Sequence, residues 1–466
     1  MLTIDSVWEE RGRQQMAYLA QLESQYQVSP APQVADTLYS LVRCLKEFAR
    51  QQIGFFVDGF RHGVLEPCSQ FPPETVLSAT LAQIGFDISV IEQVAEQRMR
   101  AYQLAQTHPD DPFVRALAMG DHLAYAALKL ANEADLLRQP VTVLTYYQKS
   151  AFVRVIPYAP LALVGIPHSC RGVSRDFLAI PHEIGHYIYR YGRFTRKNDT
   201  PIEGQLPVAV LPGSANSWVK TWFEEIFADV FGALVAGPVL GMSFQDLQMT
   251  HNTEGFYTDD GDHPVPVLRP HIYTNVVREK YPEWADRLHD SWNTKLAARA
   301  SAQRAESTGS FKRKNGHLFA VVEAITTELT GNRLASDKPL DTAVATITQE
   351  LLRKMEPTSW PPNLPKPAAN ETAPGLYARF NDFVANISVI SVPEMKLDGN
   401  NEYVEVGGEP TGLKAGETRF LNRIDTTRKS MAPGRAKISC PEWLRVFSAA
   451  GWATKGPDCP GTGGVC

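Results

Sequence analysis

The stretch Ile180-Pro-His182-Glu183-Ile-Gly-His186-Tyr187 sets three titratable side chains inside an otherwise apolar run. Phe177-Leu-Ala precedes it and Ile188-Tyr-Arg-Tyr-Gly192 follows, so a helix built here carries two imidazoles and a carboxylate toward a core. Burying such groups without a partner is expensive, and a bound cation satisfies all three. On a helix, positions i and i+4 share a face, so His182 and His186 turn a ring nitrogen toward one point. Glu183, beside the first histidine, stands where a general base for a metal-bound water is needed. The competing reading is a surface helix with two solvated histidines flanking an acid, and the apolar flanks speak against it.

Two residues qualify the helix. Gly185 costs up to about 1 kcal/mol relative to Ala in a helix interior, which is tolerable where a second element packs closely. Pro181 lacks a backbone donor, so either the helix starts there or one beginning near Ser174 bends there. Ser174 and Asp176 make the better N-terminus, which favours the bend.

Two histidines do not hold a catalytic zinc; a third protein ligand is needed, with one position left open. A histidine-rich site would carry Gly and then His where this chain has Tyr189 and Gly192. The better candidate is Trp218-Val-Lys-Thr-Trp222-Phe-Glu224-Glu225-Ile-Phe-Ala-Asp229, in a helix expected from about Ser214 to the Gly237-Pro238 stop. Glu225 and Asp229 stack at i and i+4 among Trp222, Phe223, Ile226, Phe227, Val230 and Phe231, company in which a carboxylate needs a partner. Glu225 is the expected third ligand. Asp229 is the expected outer carboxylate, accepting the distal N–H of a ligand histidine and fixing its tautomer. Glu224 stays open as the ligand, although it lacks an acid four residues on.

His-Glu-x-x-His followed by Glu225-Ile-Phe-Ala228-Asp229 resembles the gluzincin metallopeptidases, over roughly residues 150–290. The resemblance implies one zinc per chain on His182, His186 and Glu225, with Glu183 as base and Asp229 behind the ligands. It also implies a strand beside the zinc helix that binds substrate backbone, and a donor for the oxyanion from beyond the third ligand. His263, with Asp262 alongside, is the first choice for that donor; Arg269 is second, with Tyr257 and Tyr273 behind. A departure from compact members is the 38 residues between His186 and Glu225.

The rest of the chain frames this centre. At 466 residues it is long enough for two or three domains, with ordinary apolar (44%) and charged (21%) content. A net charge of −5 argues against general affinity for nucleic acid. The N-terminal residues show no basic start or apolar h-region, and no window approaches a membrane span, so a cytoplasmic protein is expected. The six scattered cysteines then read as reduced thiols. Cys170, just before the motif, is either a buried structural thiol or one that masks the zinc.

The expected fold is mainly α (α+β). Residues 1–138 form a helical lobe, with breaks near Pro67, Gly85 and Pro109. Residues 139–295 form a zincin-like domain with a small sheet and two metal-bearing helices, joined by a loop over 192–213. Residues 296–356 are a connector followed by helices at 317–331 and 340–355. Residues 357–374, with six prolines from Pro357 to Pro374, are a linker or surface strap, and 375–466 complete a helical C-terminal region. Between Lys414 and Lys455, nine Lys/Arg stand against three Asp/Glu, which reads either as a docking face for an acidic protein partner or as a solvated surface. The functional expectation is a zinc-dependent peptidase acting on a peptide or protein. The alternative is a non-catalytic, zinc-stabilised binding or regulatory protein whose helical lobes carry the function.

Overall fold

The computed structural model describes residues 6–27, 34–195, 201–203, 217–252, 255–256, 260–261, 263–306, 339–356, 360–417, 437–441 and 443–444. The chain divides into two compact units that are not sequential. One comprises Met1–His108, Ile156–Leu161 and Pro393–Cys466; the other comprises Pro109–Val155 and Ala162–Val392. The protein is mainly α, with small sheets, as the periodicities predict. The first division along the chain falls at His108, where the sequence reading sets its boundary at 138.

The first unit is built on α1 (Ser6–Gln27), α2 (Ala35–Arg61) and α3 (Pro73–Ala105). Leu19, Leu22 and Tyr26 of α1 are buried, as are Leu38, Leu41, Leu45 and Phe48 of α2, the helical spacings legible in the sequence. α3 runs through Gly85 without a break. Among the described residues it is the one helix long and apolar enough to cross a membrane, and Val76, Ile84, Ile91 and Val94 on it are buried within this unit.

The C-terminal residues return to these helices. A three-stranded sheet, β6 (Met395–Leu397), β7 (Tyr403–Val406) and β8 (Glu409–Lys414), stands where the sequence suggests only helix and a Gly-containing tail. Ile438 forms a parallel bridge with Leu65, and Trp443 is fully buried against Phe56 and Phe60. Cys68 and Cys440, 372 residues apart, form a disulfide. That corrects the expectation of six reduced thiols: spacing along the chain gives no hint of a pair that only tertiary folding brings together. Cys44 and Cys170 are free and buried.

The second unit carries the candidate site. It opens with α4 (Pro112–Glu133), started by Asp111, whose carboxylate accepts from Phe113 N at 2.7 Å, with Pro112 where its missing N–H is harmless. α4 belongs here because Asp121 accepts from both Thr145 N (2.7 Å) and Thr145 Oγ1 (2.8 Å) on the neighbouring strand. The sheet is β1 (Thr142–Gln148), β3 (Leu161–Pro167) and β2 (Phe152–Val155) in that spatial order, with β2 antiparallel to β3 and at the edge.

After 3-10 turns at His168–Arg171 and Ser174–Ala179 come α5 (Ile180–Tyr191), α6 (Ser217–Ala236), α7 (Pro238–Gln248), α8 (Arg269–Arg278) and α9 (Pro282–Glu306). The expected loop over 192–213 contains instead an antiparallel pair, β4 (Arg193–Thr195) and β5 (Pro201–Glu203). α10 (Pro339–Lys354) falls on the helix expected at 340–355, and α11 (Ala373–Asn386) opens the C-terminal region expected to be helical. The helix expected at 317–331 lies outside the described residues, as does most of the basic stretch between Lys414 and Lys455. The proline-rich stretch is a strap rather than a free linker: Trp360 is buried and donates to Leu123 O at 2.9 Å, and Ala368 O accepts from Trp284 at 3.1 Å.

Candidate metal centre

α5 begins where its sequence requires. Ile180 N donates to Phe177 O, closing the 3-10 turn of Ser174–Ala179, and the α-helix proper follows with Pro181 in its first turn. The helical path does start near Ser174, but the proline is accommodated by a change from 3-10 to α winding rather than by a bend inside an α-helix.

α5 and α6 approach until their backbones nearly touch. A Cβ at Gly185 would lie 2.7 Å from Ala228 Cα, and one at Gly232 would lie 3.3 Å from His182 N and Cα. The small residues Ala228 and Gly232, one turn apart on α6, therefore admit the histidine helix. The result is that short side chains on the two helices meet.

His182 Nε2 and His186 Nε2 are 3.2 Å apart. Glu225 faces both, with Oε2 3.5 Å from His182 Nε2 and Oε1 3.4 Å from His186 Nε2. The ligand atoms of His182, His186 and Glu225 all lie within 4.8 Å of one another, a grouping that could hold one metal ion. The far side of each ring meets another carboxylate. His182 Nδ1 lies 3.0 Å from Asp229 Oδ1, a close charge contact, and His186 Nδ1 lies 3.3 Å from Glu224 Oε1. An outer carboxylate behind each imidazole is the usual way a ligand histidine is oriented toward a metal.

Both outer carboxylates carry a guanidinium. Arg269 Nε and Nη2 donate to the two oxygens of Asp229 at 3.0 and 2.7 Å, and Nη2 reaches Glu225 Oε2 at 3.1 Å. Tyr273 OH donates to Asp229 Oδ1 at 2.8 Å. Arg190 Nε and Nη2 grip Glu224 at 2.9 and 2.7 Å. Glu183, also buried, accepts from Val153 N of the edge strand β2 at 2.9 Å.

The electrostatics fit a divalent cation. Glu183, Glu224, Glu225 and Asp229 supply four formal negative charges and Arg190 and Arg269 two positive ones, which leaves two negative charges in a largely dry site. Without a metal, a proton on His182 relieves part of this. Burial pushes that imidazole down, but Asp229 and Glu225 outweigh it and raise it to about 10. Burial pushes Glu225 up, yet His182, His186 and Arg269 hold it well below the usual carboxylate range. Asp229 and Glu224 are likewise raised by burial and lowered further by their cations. Two imidazoles and a carboxylate facing one point are a donor set suited to zinc.

The remaining expected residues divide. His263 is at the site, with Nε2 3.4 Å from Glu225 Oε1 and its side chain 44% exposed, so it stands on the open side of the cluster. Its partner is Asp260, which accepts from Nδ1 at 2.7 Å and from the backbone N at 2.8 Å. Asp262, the expected neighbour, and Tyr257 lie outside the described residues. Arg269, the second choice for that donor, engages Asp229 and Glu225 through Nε and Nη2 and lays its guanidinium over the Phe244 ring, so it braces these two carboxylates. Tyr273 is fully buried against Asp229 and does the same.

Cys170 is buried, and burial pushes its thiol up, the behaviour of a packing residue. Sequence reasoning missed Arg190 and the use made of Glu224. The signal was present: His182, His186 and Arg190 form one i, i+4, i+8 stripe. The chain matches no family model, no curated protein and no solved structure.

Proposed function

We propose that this chain is a zinc-dependent peptidase of the gluzincin type. The observation that carries the reading is the convergence of His182 Nε2, His186 Nε2 and Glu225 on one point, with a carboxylate behind each ring. A bound zinc supplies Lewis acidity and makes water acidic near pH 7. Glu183, adjacent to His182 in sequence, accepts the proton of the attacking water and returns it to the leaving amine. His263, on the open side, donates to the carbonyl oxygen as it gains charge, while Asp260 holds the opposite ring nitrogen. The edge strand β2, tied to Glu183 through Val153 N, offers main-chain groups beside the reacting bond, where an extended peptide can add as a further strand.

The test is metal content by mass spectrometry, then turnover of a mixed peptide library. Wild type should carry about one zinc per chain and Glu225→Ala much less. Glu183→Gln should keep the metal and lose at least about 100-fold in turnover, the share general-base catalysis supplies. A Glu183→Gln protein that cleaves normally sinks the mechanism.

One observation favours a second reading, a non-catalytic zinc-stabilised protein. Glu183 is buried and accepts a backbone N–H, as a purely structural carboxylate does. Cobalt substitution separates the two, since a closed set of four protein ligands and a set of three plus water give different visible spectra. The Cys68–Cys440 disulfide favours an oxidising compartment over the cytoplasm expected from the sequence, and a thiol count on protein from its native source decides this.

A further inference from the structure

The two adjacent glutamates of α6 face different ways. Glu225 presents its oxygens to the Nε2 atoms of His182 and His186. Glu224 presents Oε1 to the opposite nitrogen of His186, at 3.3 Å, and both its oxygens are held by Arg190. Arg190 is four residues beyond His186 on α5, so it projects from the same face one turn on. The chain of contacts runs from His186 on α5 to Glu224 on α6 and back to Arg190 on α5. His182 has the matching arrangement in Asp229 and Arg269.

We propose that Glu224 and Arg190 are positioning residues for His186 in the metal centre. A planar guanidinium gripping a carboxylate through two parallel N–H···O bonds fixes the carboxylate plane as well as its place. Glu224 so fixed holds His186 Nδ1–H, which leaves Nε2 as the ligand atom and sets its lone pair toward His182 Nε2 and Glu225. The pair also explains why Glu224 is not itself the third ligand. Its oxygens are engaged, and they stand on the side of His186 away from Nε2. The inference rests on the metal-site reading above and goes beyond it in assigning a role to two residues outside the ligand set.

A plain interhelix salt bridge would use the same atoms, so the test needs a readout that a bridge alone does not move. Full-length wild type, Glu224→Gln, Arg190→Met and Arg190→Lys are compared for zinc affinity by competition with a chromophoric chelator. The visible spectrum of each cobalt-substituted protein is recorded, together with the melting temperature of each metal-free protein.

Glu224→Gln should weaken zinc about 10- to 100-fold, the range for loss of an outer partner of a ligand histidine. Arg190→Met should weaken it less, Arg190→Lys should recover part of the loss, and the cobalt bands should shift in Glu224→Gln. Zinc affinities within twofold of wild type and an unchanged cobalt spectrum overturn the proposal while leaving the metal reading intact. A wild type that takes up no zinc overturns both. Should Glu224→Gln fail to fold, the contrast between Arg190→Lys and Arg190→Met decides in its place.

Discussion

Gly185 and Ala228 set the separation of the two helices that carry the site: a Cβ at 185 would stand 2.7 Å from the Ala228 Cα, closer than real contacts allow. Each of the short reaches, His182 to Asp229 and His186 to Glu224, depends on that approach. Gly185→Ala should therefore push α5 from α6, destabilise the protein by about 1–3 kcal/mol and weaken zinc binding. Gly172→Ala, where an added Cβ meets nothing within 4 Å, is the control. Urea denaturation of the pair checks this, and equal midpoints would show that the helix approach is not limiting.

Metal-free protein should lose stability as pH rises above about 6.5, the ordinary histidine value. The sign follows from His182, which burial would depress but Asp229 and Glu225 raise to about 10. A raised folded value contributes stability that is complete below the unfolded value and disappears as pH climbs through the folded one. Glu225 and Asp229 are shifted down, so their share is present above about pH 4 and is lost on acidification. Melting temperatures after chelation should be highest between about pH 5 and 6.5 and fall toward pH 9. Added zinc, taking the place of the His182 proton, should remove the alkaline decline.

Removing Arg269 should be costly even without substrate or metal. Asp229 is fully buried and Arg269 is its guanidinium partner, with Glu225 sharing it. Arg269→Ala leaves those charges without their guanidinium, at a cost of about 3–5 kcal/mol. Arg269→Lys should lose less, because it keeps the charge but not the fork. A chemical denaturation curve for Arg269→Ala that overlays wild type would mean that the contact is not maintained in solution.

Reduction of Cys68–Cys440 should loosen the C-terminal residues from the helices they pack on. The bridge, the Leu65–Ile438 pairing and buried Trp443 hold the same short segment. Cys68→Ser should lower stability by about 2–5 kcal/mol. Proteolysis should then cut near residues 437–444 in the reduced protein and spare the oxidised one. Equal resistance in both forms would show that the apolar contacts suffice.

Much of the site was legible because helical geometry is local. His182, Glu183 and His186 on one run, and Glu225 and Asp229 at one-turn spacing on another, declare their shared faces from sequence alone. Gly185 likewise announced a close neighbour, since an uncompensated glycine inside a helix has little other use. Helical spacing gave the core faces of α1 and α2 for the same reason.

What the sequence could not determine was which groups from distant elements share a point. Glu224 and Glu225 are adjacent and chemically identical; only the angle at which α6 meets α5 turns one toward the Nε2 atoms and the other toward Arg190. Arg269 braces Asp229 because α8 delivers it against α6, a meeting no spacing along the chain announces. The Cys68–Cys440 bridge and the return of the C-terminal sheet to the first unit join residues hundreds apart. Periodicity specifies a face, and a face is a property of one element. Which faces meet is fixed by the packing of all of them together.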